Sequence, residues 1–170
     1  MFTQIINSGA DGIIAIANTV EAALIMRATF NMGIDLPLLG ASVFSVGESI
    51  NNAGHDAAEG WYTVTDWAEA LDTPESLRFM EGWNAMFPGV PPIQNNVFAY
   101  DALFILADAI ERAGSADPAA INKALGEVYR FAGALTVYTV DENRTMGTTQ
   151  VLTRTNAYGL SEVIDVITFR

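Results

Sequence analysis

The chain has no cysteine. Disulfides and thiolate metal sites are therefore ruled out, and the redox compartment is left open. It has one histidine, His55, expected to sit with Asp56 and Glu59 in a polar turn. A metal or catalytic role would need partners at helical or strand spacing, so a solvated surface histidine is expected. Positive charge is scarce: 8 Lys and Arg face 20 Asp and Glu, for a net charge of −12. Nucleic acids and anionic membranes call for a basic face, so neither is expected as a partner. No apolar run approaches the ~20 residues of a membrane-spanning helix. G-x-S-x-G, P-loop and G-x-G-x-x-G motifs are all missing. No catalytic residue, metal ligand or cofactor is expected. The opening MFTQIINSGA lacks a basic region followed by an apolar core, so no signal peptide is expected. Its Phe2, Ile5, Ile6 and Gly9 are helically spaced with nothing capping the start, as if the chain began partway through a larger fold.

What is present is enough apolar material for a core. Hydrophobic residues make up 51% of 170, which allows one domain or two small lobes. The chain is organised around Gly9 to Ser45. Ile13 to Ala17 is a short apolar run bounded by polar residues, which predicts a strand buried on both faces. Thr19 is the expected N-cap of the next element. From there Ala22, Ile25, Met26, Thr29, Phe30 and Gly33 follow the helical period. Gly33 is a natural stop. Leu36 to Gly40 then predicts a second buried strand, with Pro37 near its start.

Such a strand–helix–strand unit has a functional consequence. In open α/β sheets ligands bind beyond the carboxyl ends of the strands. Here those ends are Asn18-Thr19 and Ala41 to Ser45, small and polar with one aromatic ring, Phe44. They read either as the rim of a ligand site or as ordinary turns that cap helices.

Further along, Trp61 to Thr65 is rich in β-formers and predicts a third strand. Thr73-Pro74-Glu75 opens a helix that runs to about Phe87, with Leu77, Met80, either Trp83 or Ala85, and Phe87 as its apolar positions. Asn95 or Asn96 is expected to cap the longest helix, ending near Ala113. Its sequence is apolar on most sides and belongs inside a layer. Asp101, Asp108, Glu111 and Arg112 are expected to form its solvent side, and the carboxylates are not read as an acid–base pair. A helix from Ala119 to Val128 follows, then a strand from Ala134 to Val140. Strands over Gln150 to Thr155 and Ser161 to Ile167 close the chain. Trp61, Trp67 and Trp83 are expected to pack in a core or an interface.

Several of these segments together resemble the leucine/isoleucine/valine-binding family of ABC-transporter solute-binding proteins. The pieces are SGADGI (Ser8 to Ile13), Met32 to Gly40, AAEGWY (Ala57 to Tyr62), DTPES with its helix and PG (Asp72 to Gly89), and AYDALFILADAIERAGSADPAAINKAL (Ala99 to Leu125). FAGALTVYTVDENR (Phe131 to Arg144) matches the family's closing segment. The resemblance implies an α/β, parallel-sheet type I periplasmic binding fold, here partial. Residues 1–68 would be a β/α segment of the second lobe, 69–145 helices of the first lobe, and 146–170 strands returning to the hinge and second lobe.

The same resemblance implies a function: capture of a small solute between two lobes for delivery to a membrane permease, in the periplasm. Ligand contacts would map to Asn18, Thr19, Ser42, Val43, Phe44, Asn95 and Asn96. The family often has an acid where Ser42 stands, to hold a ligand ammonium group, and a hydroxyl cannot make that charge-assisted bond. A neutral or carboxylated solute, even an aromatic one stacked on Phe44, is the alternative to a branched-chain amino acid. The missing N-terminal half, or a second copy of the chain, is expected to cover the apolar faces left open. Two other readings stay open: an α/β enzyme domain using carboxylates near the strand ends, and a ligand-sensing regulatory domain on the same fold.

Overall fold

Three of the strand runs pair in parallel in the computed structural model, which describes residues 2–147 and 149–167. After a short helix α1 (Phe2–Asn7), β1 (Ile13–Ala15) leads into α2 (Thr19–Asn31) and β2 (Leu38–Ala41). A 3-10 turn (Ser42–Ser45), α3 (Gly47–Ala53) and α4 (His55–Ala58) precede β3 (Tyr62–Thr65). α5 (Pro74–Met86), α6 (Gln94–Ala113) and α7 (Pro118–Leu125) follow. The chain closes with the two-residue strands β4 (Phe131–Ala132) and β5 (Val137–Tyr138), then β6 (Gln150–Thr155) and β7 (Ser161–Ile167). Residues 168–170, inside the expected C-terminal strand segment, lie outside the described residues. The chain divides into two compact units. The first is built on Met1–Ala70 and Val151–Val166, the second on Leu71–Gln150.

In the first unit the sheet order is β1-β2-β3-β6-β7. β1 and β2 are parallel, as are β2 and β3, while β3 and β6 run antiparallel. One face carries the core. Ala22, Ala23 and Met26 of α2 pack with Ile50 and Ala53 of α3, Ala57 and Ala58 of α4, Phe44 and Trp61. Gly33 ends α2 at φ 60. Its N–H donates to the Phe30 carbonyl and that of Ile34 to the Thr29 carbonyl, the paired bonds of a Schellman stop.

The other face of this sheet is open, which corrects the expectation of strands buried on both sides. Ile13 and Ala15 are buried, but Ile14 is 76% exposed and Ile16 86%. The apolar run is continuous, yet all three helices that follow β1 and β2 lie on one face. Two smaller corrections follow from cap geometry. Asn18, not Thr19, is the N-cap of α2, and its side chain makes no capping bond. The His55 stretch is a short helix rather than a turn, with His55 itself exposed.

In the second unit Thr73 caps α5, its side chain accepting from the Ser76 N–H at 3.2 Å. Phe79 is buried and Leu77 is 55% exposed, so the inward stripe of α5 differs from the expected one. The inward stripe of α6 is Val97, Asp101, Ile105 and Ala109. Asp101 was expected at the solvent and is instead 1% exposed. Its carboxylate accepts from the N–H groups of Ala134 (2.7 Å) and Leu135 (2.8 Å) and from the Tyr138 hydroxyl (3.0 Å). Those bonds explain why 134–140 is not the single strand expected. The chain folds back as the β4–β5 hairpin, whose turn is held by Asp101. A Cβ on Gly133 would lie 2.6 Å from Asp101 Oδ2, so the turn closes on the carboxylate only with glycine there. Leu103, Phe104, Leu106 and Ile110 on the rest of α6 are 41–64% exposed.

Candidate functional site

The parallel register of β1 and β2 sets their carboxyl ends side by side: Ile14 is opposite Leu39 and Ala15 opposite Gly40. Asn18, Thr19, Ser42 and Val43 are therefore gathered along one edge of the first unit. Asn18 is exposed, and Thr19, Ser42 and Val43 are half-buried. The edge is braced from behind. The Ser49 hydroxyl of α3 donates to the Thr19 carbonyl at 3.2 Å, and the Ser45 hydroxyl to the Ser42 carbonyl at 2.8 Å. Arg27 of α2 also donates to the Asn52 carbonyl of α3. The loop conformation is thus fixed by the scaffold beneath it, and the Asn18 side chain makes no helix-capping bond.

Phe44 has a different place. It is fully buried, its ring stacked on Trp61 with centroids 4.7 Å apart. A Cβ on Gly40 would lie 2.3 Å from Phe44 Cγ and 2.6 Å from its Cβ, so glycine in β2 makes room for it. The ring is a core residue with no face left for a ligand to stack on. Asn95 and Asn96 belong to the second unit. Asn95 is exposed at the start of α6. Asn96 does cap that helix, but from within its first turn: its Oδ1 accepts from the Ile93 N–H at 2.9 Å.

One strand end escaped the sequence reading. β2 and β3 are parallel, with Ala41 opposite Val64, so Thr65 and Asp66 emerge at the same edge as Ser42. Asp66 is half-buried. The strand-end rule was available for it, since Trp61 to Thr65 already read as a strand. Among the described residues no group of three His, Asp or Glu side chains is arranged to hold a metal ion. No helix among them is long and apolar enough to cross a membrane.

Residues 1–158 match the family model described as periplasmic binding protein. The chain belongs to the periplasmic binding protein family. Among the curated proteins no sequence match reaches significance. Among solved structures it is similar to the leucine-binding protein LivK of Thermotoga maritima, with 28% identity and a TM-score of 0.87. That alignment covers 98% of this chain and 47% of LivK. The branched-chain amino acid binding protein LivJ of Streptococcus pneumoniae, solved with isoleucine, aligns at 20% identity and TM-score 0.82, over 99% of this chain and 48% of LivJ. A solute-binding protein of R. palustris, solved with benzoate, aligns at 19% identity and TM-score 0.78, over 96% and 45%. The last two share the fold alone. This periplasmic binding protein chain thus spans about half the length of its solved relatives. The type I periplasmic binding fold is present here as that half.

Proposed function

We propose that the chain is part of the substrate-binding component of a branched-chain-amino-acid-type ABC transporter. In this reading the first unit supplies one wall of a solute site, at the edge formed by Asn18, Thr19, Ser42 and Val43, and Asp66 extends that wall. Asn95 and Asn96, on the second unit, stand as separate candidate contacts. The observation that carries the reading is the family match over residues 1–158 together with four polar or small residues brought to adjacent parallel strand ends. The protein would bind without turnover, work in the periplasm, and hand its solute to a membrane permease.

The mechanism would be lobe closure. A solute that touches both walls stabilises the closed state by its differential affinity for it. An amide at Asn18 and a hydroxyl at Ser42 bind by neutral hydrogen bonds, each contributing about 0.5–1.5 kcal/mol net. Asp66 is the acidic group at this edge and the candidate partner for a ligand ammonium. A carboxylate there makes the stronger, charge-assisted bond that Ser42 cannot.

The test is an NMR titration of the chain with isoleucine and with benzoate. Saturable shifts at Asn18, Thr19, Ser42 and Asp66, removed by Asn18→Ala, support the reading. Asp66→Asn is expected to weaken isoleucine at least about tenfold, one charge-assisted bond's worth, and to leave benzoate unchanged. Shifts elsewhere, or chemical conversion of an added solute, would overturn it.

A further inference from the structure

A polar turn of the second unit carries a motif that the solute reading does not use. Asn143, Arg144 and Thr145 read N-x-T, the acceptor pattern for N-linked glycosylation. No other asparagine in the sequence has Ser or Thr two residues on. The pattern is short, so its weight rests on how the fold presents it.

The turn is tight. Val140 and Met146 form an antiparallel bridge at its base. The Asp141 N–H donates to the Thr145 carbonyl at 2.9 Å, and the Arg144 N–H to the Asp141 carbonyl at 3.0 Å. Asp141 Oδ1 accepts from the N–H groups of Asn143 (2.9 Å) and Thr145 (2.7 Å). Arg144 turns the chain at φ 63, a left-handed conformation uncommon outside glycine. Its guanidinium donates to the carbonyl and the Oδ1 of Asn122 in α7, at 2.9 and 2.8 Å. The middle residue of the motif is thus pinned to the body of the unit.

The two residues that the motif needs are left free. Residues 141–145 are all exposed. Asn143 and Thr145 hold the turn through their backbone groups. Among the described residues neither the Asn143 side-chain amide nor the Thr145 hydroxyl has a hydrogen-bond partner. Asp141 Oδ2 has none there either, which leaves a charged oxygen two residues before the asparagine for a cation of the modifying enzyme. The turn also lies clear of the candidate ligand contacts of its own unit. Two residues beyond Asn122, the Ala124 carbonyl accepts from Arg112, in the last turn of α6. A group on Asn143 therefore stands by that end of α6, while Asn95 and Asn96 lie at the other end of a 20-residue helix, ~30 Å long.

We propose that Asn143 is an acceptor site for N-linked glycosylation, taking an oligosaccharide from a lipid pyrophosphate donor. In the transfer the Asn143 side-chain nitrogen bonds to the anomeric carbon of the first sugar. The bond from that carbon to the pyrophosphate oxygen breaks, and its electron pair leaves with the lipid pyrophosphate. The amide nitrogen gives up one proton. The Thr145 hydroxyl is the group the enzyme reads. The inference rests on the periplasmic placement proposed above and not on the solute. A chain that accepts a glycan and binds no solute would defeat the ligand reading alone.

The experiment incubates the purified chain with a purified bacterial oligosaccharyltransferase and a lipid-pyrophosphate-linked oligosaccharide. The expected result is a mass gain of one glycan, located after digestion on the peptide that contains Asn143. Asn143→Gln and Thr145→Val should each abolish the gain, and Thr145→Ser should retain it. Thr145→Val keeps the side-chain shape and the backbone bonds of the turn, so its melt should match that of the unchanged chain. Loss of the glycan then reports the hydroxyl and not the fold. An unmodified chain would overturn the proposal, whether or not a synthetic peptide spanning residues 139–147 is modified. So would a glycan on the Thr145→Val chain, or one attached at any residue other than Asn143.

Discussion

The two units are held together by different means. The first is an apolar core pressed onto one face of a sheet, with Phe44 and Trp61 at its centre. The second has a hairpin of two-residue strands in place of a sheet, and its longest helix turns a buried carboxylate inward. Phe44 stabilises by filling space. Asp101 stabilises by satisfying three donors that would otherwise be buried without partners. Apolar packing tolerates exchange among side chains of similar volume. A polar network does not, because each missing partner leaves a desolvated group behind.

Mutations at the two centres sharpen this contrast. Phe44→Ala removes a fully buried ring and should cost about 3–5 kcal/mol in urea unfolding, since neighbouring atoms collapse only partly into the cavity. Phe44→Leu should recover much of that. Asp101→Ala strands the Ala134 and Leu135 N–H groups and the Tyr138 hydroxyl, at a cost of roughly 3 kcal/mol. Hydrogen exchange should show the loss across the β4–β5 hairpin and α6, with the first unit's amides unchanged. Asp101→Leu, which keeps the volume, should rescue nothing. If it did, the second unit would be held by packing like the first, and the contrast would fail. The smallest effect is expected at the start of α5. Thr73→Ala removes the cap to Ser76 and should cost about 1 kcal/mol, read as faster exchange in the first turn of that helix.

The same contrast governs what could be read ahead of the structure. In the first unit the strand runs, the helix over residues 19–31, the Gly33 stop and the strand ends at Asn18 and Ser42 follow from period and punctuation. The misreadings there concern burial. Ile14 and Ile16 look like core residues because their run is apolar. Their exposure depends on which face the helices take, a property of connection handedness and not of the run. Phe44 is the converse case. Its position after a strand suggested a ligand-facing ring, and Gly40, four residues back, leaves a space that its ring fills from below. In the second unit the start of α5 at Thr73-Pro74, the end of α6 near Ala113 and the start of α7 near residue 119 were legible. The role of Asp101 was not. An acid among Asp108, Glu111 and Arg112 on a helical wheel reads as solvent-facing. Its partners lie 33 to 37 residues away, beyond any local pattern.

The sequence by itself therefore determined the family and most of the longer helices and strands in their order, because helical period, caps and turn glycines act within a few residues. It also put Asn18 and Ser42 just past strand ends, since that needs only the order of strand and helix. The tertiary structure decided which apolar residues are core, which acid is buried, and that Thr65 and Asp66 share an edge with Ser42. Those outcomes depend on pairing register and on the face each crossover takes. Both are set by contacts between segments far apart in the chain, where local propensity carries no information.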